Sequence, residues 1–209
     1  MLSAERWWEI IGAYGAVVWP AQAIFFVVAA VLVLFLIFKP GKVATALMKL
    51  YFFLAFGWNG IVFFMILGKG LVGSYFFGSL FTLVAILFAV DLFRDRIQFR
   101  HPEPTWQKYL TLALLLIVFC YPLISLISGH YFPKTLIPGA FPCPTAALAL
   151  LLLTTALPRV DKIMYVILLF WAIPFPPFIQ IPRYGVYEDS IMFIVGIYSL
   201  IMLARHWKR

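Results

Sequence analysis

The run PAQAIFFVVAAVLVLFLIF, positions 20–38, holds a single polar side chain, Gln22, and stops at Lys39, Pro40, Gly41 and Lys42. A helix needs about 20 apolar residues to cross roughly 30 Å of hydrocarbon, and Pro-Gly just after such a run is a strong stop. The run therefore reads as a membrane span. The rest of the chain has the same character. Of its 209 residues 65% are hydrophobic and 11% charged, with a mean hydropathy of +1.02; that is too little polar surface to cover a water-soluble globule. The expected fold is all-α, a polytopic transmembrane helical bundle forming one domain over residues 1–209.

Working outward, residues 1–19 carry Trp7, Trp8, Glu9 and Tyr14, an aromatic and acidic content suited to the membrane interface. This segment lies flat as an interfacial element or extends the first helix outward. It lacks the basic region, apolar run and small-residue cleavage site of a secretory signal. Further spans are expected at about 46–67, 71–93, 109–128, 143–157, 163–177 and 185–204, making seven. The second encloses Gly57-Trp58-Asn59-Gly60, the fourth contains Cys120-Tyr121-Pro122, and the sixth loses regularity at Pro174-Phe175-Pro176-Pro177.

The formal net charge of +8 sits in short flanks between apolar runs, a pattern that reports topology and gives no nucleic-acid partner. Lys39, Lys42, Lys49, Arg94, Arg96, Arg100, Lys108, Arg159, Lys162, Arg205, Lys208 and Arg209 fall on one side of a seven-span chain. Arg6, Lys69, Lys134 and Arg183 fall on the other. The cation-rich side is cytoplasmic by the positive-inside rule, so the N-terminus is expected outside and the C-terminus inside. Asp91 lies about one turn from Arg94 and is expected to pair with it at the cytoplasmic end. Glu188 and Asp189 are expected at the solvated outer end of the last span.

The fifth segment differs from the others. Residues 145–157 are too few to span, whereas 135–157 contains Pro138, Gly139, Pro142 and Pro144. Pro144 suits a first helical turn, with Cys143 near the N-cap, so the outer half of this segment is expected to be unwound. At 1.5 Å per residue from the cytoplasmic helix ends, Asn59, Cys120 and Cys143 come to roughly 18, 18 and 21 Å above the inner boundary. Thr145, Tyr121 and the Trp58 indole fall near the same level. These six residues form the candidate ligand-binding layer. Unwound backbone at such depth requires surrounding protein or a wet cavity, and a helix N-terminus there favours an anion or activates a thiol.

Gly-x-Ser-x-Gly, His-Glu-x-x-His and glycine-rich phosphate loops are absent. His101, His130 and His206 lie outside the expected spans, against a bis-histidine haem or a paired-histidine metal site. No cofactor is expected, and nothing marks the chain as an enzyme. Cys120 and Cys143 allow at most one disulfide. Three readings follow. The leading one is a small-solute or ion transporter or channel with its site in the outer half of the bundle. The others are an accessory or structural subunit packing against another membrane protein, and a thiol or soft-metal protein using Cys143. The partners expected are the lipid bilayer, a small solute or ion, and a second copy or another membrane protein.

At Val18-Trp19-Pro20-Ala21-Gln22, Gly57-Trp58-Asn59-Gly60 and Pro142-Cys143-Pro144-Thr145 the chain resembles a bacterial family of integral membrane proteins, a domain of unknown function. The likeness runs over most of the chain. It implies a compact multi-pass protein of the cell membrane, the bacterial inner membrane, and it brings no activity, substrate or cofactor.

Overall fold

A computed structural model describes residues 2–102 and 105–207, and these are helical with no strand among them. Helix α1 (Ala4–Phe38) is capped by Ser3, whose side chain accepts from the Arg6 amide at 3.2 Å. It runs unbroken through Pro20 for 35 residues. Of the two expectations for this segment, extension of the first helix is the one seen: from Ala4 it is the N-terminal half of one continuous helix. The reason is packing: Trp8, Ile11, Tyr14 and Val18 are all buried. Proline inside a helix removes a ladder hydrogen bond. Gln22 bonds the Gly15 carbonyl at 3.1 Å beside that interruption, which accounts for the single polar residue of the run.

After the stop at Lys39, α2 (Lys42–Gly57) continues into a π-helical segment, Trp58–Leu67. At this change of register the Asn59 side-chain amide donates to Ala55 O at 2.7 Å, beside the Trp58 backbone N–H. Helix α3 (Ser74–Arg94) packs closely on this segment because Gly60 faces Gly78. A Cβ on Gly78 would lie 2.8 Å from the Gly60 carbonyl, so small residues set the helix separation, as is common between membrane helices.

Next come α4 (Thr105–Phe119) and α5 (Tyr121–Ile127), bent by 52° at Cys120. Helix α6 (Pro142–Thr154) is short, and every one of its residues is buried. It is surrounded by α2, α4, α7 (Lys162–Ala172) and α9 (Ser190–His206). A helix apolar on all faces belongs inside a protein, and one enclosed by other helices does not have to match the bilayer thickness. Its hydroxyls turn inward: Thr145 and Thr154 donate to Phe141 O and Leu151 O in the preceding turn. Between α7 and α9 lie a π turn (Pro176–Gln180), the single turn α8 (Ile181–Tyr184) and a 3-10 turn (Tyr187–Asp189).

Among the described residues, five helical stretches are long and apolar enough to cross a membrane: Ala4–Phe38, Lys42–Leu67, Ser74–Arg94, Lys162–Tyr184 and Tyr187–His206. The bent α4–α5 pair makes a sixth if it is one span. Their outward faces carry Val31, Leu34, Ile86, Leu116 and Ile194, all exposed. Such apolar exposure around a whole bundle fits lipid as the solvent.

At the C-terminal end of α3 the expected Asp91–Arg94 pair gives way to a different one. Lys49 on α2 reaches Asp91 Oδ2 at 2.8 Å and Asp95 Oδ1 at 3.2 Å, with a side chain only 1% exposed. Asp91 also accepts from the amides of Arg96 and Ile97 at 3.3 and 3.1 Å. A carboxylate that turns inward can meet both a buried ammonium and two loop amides, whereas Arg94 lies on the exposed side.

Candidate functional site

Residues 128–141 descend into the bundle without regular helix, and Leu136, Ala140 and Phe141 on this segment are buried. Its backbone polar groups are met by side chains from the surrounding helices, as depth in a membrane requires. Asn59 donates to the Gly139 carbonyl at 2.9 Å, and the Gly139 amide donates to Thr145 Oγ1 at 2.8 Å. Tyr14 donates to the Ala140 carbonyl at 2.6 Å and in turn accepts from the Trp58 indole at 2.8 Å. The Leu136 amide donates to Ser125 Oγ at 3.2 Å. Asn59, Thr145 and Trp58 thus act together, holding the unwound segment rather than facing open space. Tyr14, read from sequence as interfacial, is the fourth member of this set.

Cys143 is placed differently. It lines a cavity of about 690 Å³ in company with Phe63, Phe64, Leu71, Phe77, Phe141, Trp171, Phe175 and Gln180. The size is that of a pocket for a small organic molecule. Three irregular segments build its wall: the π segment after α2, residues 128–141, and the π turn after α7. Trp171 stacks on Phe175 with centroids 4.6 Å apart and meets Phe77 edge-on at 5.0 Å. Polar groups are few. Gln180 Nε2 donates to Cys143 Sγ at 3.1 Å, and Arg183 stands on the lining near Tyr184. Cys120, at the α4–α5 break, is half-buried, is absent from the cavity lining and forms no disulfide with Cys143.

Behind Cys143 lies a buried polar cluster. Tyr121 donates to Asp189 Oδ1 at 3.1 Å, and Ser125 donates to Glu188 Oε1 at 2.9 Å. His130 Nδ1 lies 2.9 Å from the same Glu188 oxygen, with its ring stacked on Trp8 at 3.8 Å. Both carboxylates are fully buried, which corrects the expectation of a solvated outer end for Glu188 and Asp189. The cause is tertiary. The 3-10 turn that carries them is covered by α5 and by the 128–141 segment, which fold over the N-terminal end of α9.

Sequence reasoning missed His130, Gln180, Glu188 and Asp189 as a group with Cys143 and Tyr121. The available signal was Gln180, the lone polar side chain between Pro174 and Ile181. Among the described residues no group of three or more His, Cys, Asp or Glu side chains could hold a metal ion.

An all-helical chain with several helices long and apolar enough to span a membrane, packed around a wholly buried short helix, is compatible with an integral membrane protein of the polytopic helical class. The chain belongs to the family of unknown function DUF6064, whose profile matches residues 4–209. No curated protein and no solved structure matches it.

Proposed function

We propose that this is a seven-span protein, N-terminus outside and C-terminus inside, that binds and carries a small, mainly apolar solute in the outer half of the bundle. The topology counts α4 with α5 as one crossing and α6 with residues 128–141 as another, and it follows the cation bias of the loops. One observation carries the functional reading. Three irregular segments meet at a single cavity that Cys143 helps to line. π segments and unwound helices recur at functional sites because they can change conformation and expose backbone.

The lining selects the solute class. Aromatic walls cannot replace the hydration shell of an ion, which needs rings of carbonyls or charges, so this cavity favours an apolar solute over an ion path. The thiol reading is weaker. Reactive cysteines sit in electropositive, partly exposed surroundings, whereas Cys143 is buried against Gln180 with the Asp189 carboxyl group nearby.

The test is titration of an uncharged, environment-sensitive naphthylamine probe into the protein in lipid nanodiscs, with empty nanodiscs as the baseline. Wild-type protein is expected to give a saturable signal above lipid partitioning. Leu71→Trp, which adds an indole to the cavity, should weaken it by about tenfold or more. Partitioning identical to empty nanodiscs, or saturable binding untouched by Leu71→Trp, would refute the assignment.

A further inference from the structure

The buried carboxyl pair behind Cys143 has a charge problem that the side chains around it leave unsolved. Glu188 and Asp189 are adjacent in sequence and both 0% exposed. Glu188 Oε1 is bonded by Ser125 and His130, and Asp189 Oδ1 by Tyr121. Glu188 Oε2 and Asp189 Oδ2 are enclosed and have no hydrogen-bond partner. A buried ionised carboxylate is costly unless it is paired and its lone pairs are met.

The groups facing the pair can be named element by element. Helix α5 contributes Tyr121 and Ser125, the 128–141 segment contributes His130, and α6 contributes Cys143. The π turn Pro176–Gln180 holds no titratable side chain, nor do the first two turns of α9. Helix α1 supplies only the neutral Trp8 ring against His130. Among the described residues, His130 is the one ion-pair partner of either carboxylate. Two carboxylates and one imidazolium would still leave a net negative charge in a site closed to water.

We propose that Glu188 and Asp189 form a proton-binding site, holding one proton between two carboxyl groups and exchanging it with the outer surface through His130. A proton on one carboxyl neutralises the surplus charge and turns one acceptor into a donor. His130 is suited to the exchange because its side chain is 14% exposed while its Nδ1 reaches Glu188. In the exchange step the imidazolium N–H bond breaks, an O–H bond forms on Glu188, and the imidazole is left neutral. Asp189 also adjoins the Cys143 thiol, so the proton site borders the cavity on its inner side and the outer surface through His130. Carriage of a solute would in this way be linked to protonation of the wall behind it.

The test is infrared spectroscopy of the full-length protein in nanodiscs at neutral pH. Wild type is expected to show the C=O stretch of a protonated carboxyl group. Asp189→Asn, a neutral near-isostere, should abolish or shift that band, and so should Glu188→Gln; the second variant keeps the test valid if the first fails to fold. Absence of the band in wild type, or a band unchanged in both variants, overturns the proposal. Transfer to D2O should shift the wild-type band promptly, and His130→Phe should slow that shift by about a hundredfold. Exchange as fast in His130→Phe as in wild type would overturn the route through His130.

Discussion

Lys49→Met is expected to lower the stability of the folded protein by about 3–5 kcal/mol, the cost of leaving one member of a buried ion pair unmatched. The ammonium lies 2.8 Å from Asp91 Oδ2, and both side chains are almost fully enclosed. Removing it strands the Asp91 charge between α2 and α3, with only the Arg96 and Ile97 amides to solvate it. Those amides begin the segment that tucks Ile97 and Phe99 into the core, so the loop after α3 should loosen as well. Unfolding midpoints measured in mild detergent give the number. Lys49→Met combined with Asp91→Asn should cost less than Lys49→Met alone, because the neutral amide still accepts from the loop without carrying a stranded charge. A single-variant loss below about 1 kcal/mol would show that the pair behaves as a solvated surface pair.

Gly139→Ala is the second large effect. Gly139 has a φ of +91°, a region that costs an L-residue about 1–2 kcal/mol. Its Cβ would also meet the Tyr51 hydroxyl and lie 2.7 Å from Phe25 Cβ. Overpacking of that kind adds about 1–3 kcal/mol, for a total loss of about 2–5 kcal/mol. The same substitution breaks up the bonds that Asn59 and Thr145 make to Gly139. Gly129→Ala is the control. Its φ is +86° with open space around it, so it should lose only the backbone strain. Equal midpoints for the two variants would contradict the role given to the descent of residues 128–141.

These two sites also show what a sequence can reveal. Pro-Cys-Pro-Thr announced a helix start because proline tolerates the first turn and little else in a helix, and α6 begins at Pro142. Lys39-Pro40-Gly41 marked the end of α1 for equally local reasons. The pairing of Lys49 with Asp91 was not legible, because the two are 42 residues apart and local spacing pointed instead to Arg94, three residues away. Glu188 and Asp189 looked solvated because they follow a glycine turn at the mouth of a span; only the folding of α5 and His130 over them shows otherwise. The π segment after α2 left no trace in composition, since widening a helix changes register and not residue type, whereas the π turn at Pro176 falls in the proline run that marked lost regularity. Of the six candidate residues, Asn59 and Thr145 hold backbone, Trp58 holds the Tyr14 hydroxyl that does the same, Tyr121 holds a carboxylate and Cys143 meets the cavity. Cys120 marks a bend.

The apolar cavity lined by Cys143 is open to test by thiol labelling in a Cys120→Ser background, where Cys143 is the one remaining cysteine. Protein in its native membrane is treated with a neutral, membrane-permeant maleimide or with a sulfonated, impermeant one. The account predicts that the neutral reagent modifies Cys143 and that the charged reagent does not. Equal labelling by both would mean a water-filled path, and labelling by neither would mean closed packing; either result would contradict it.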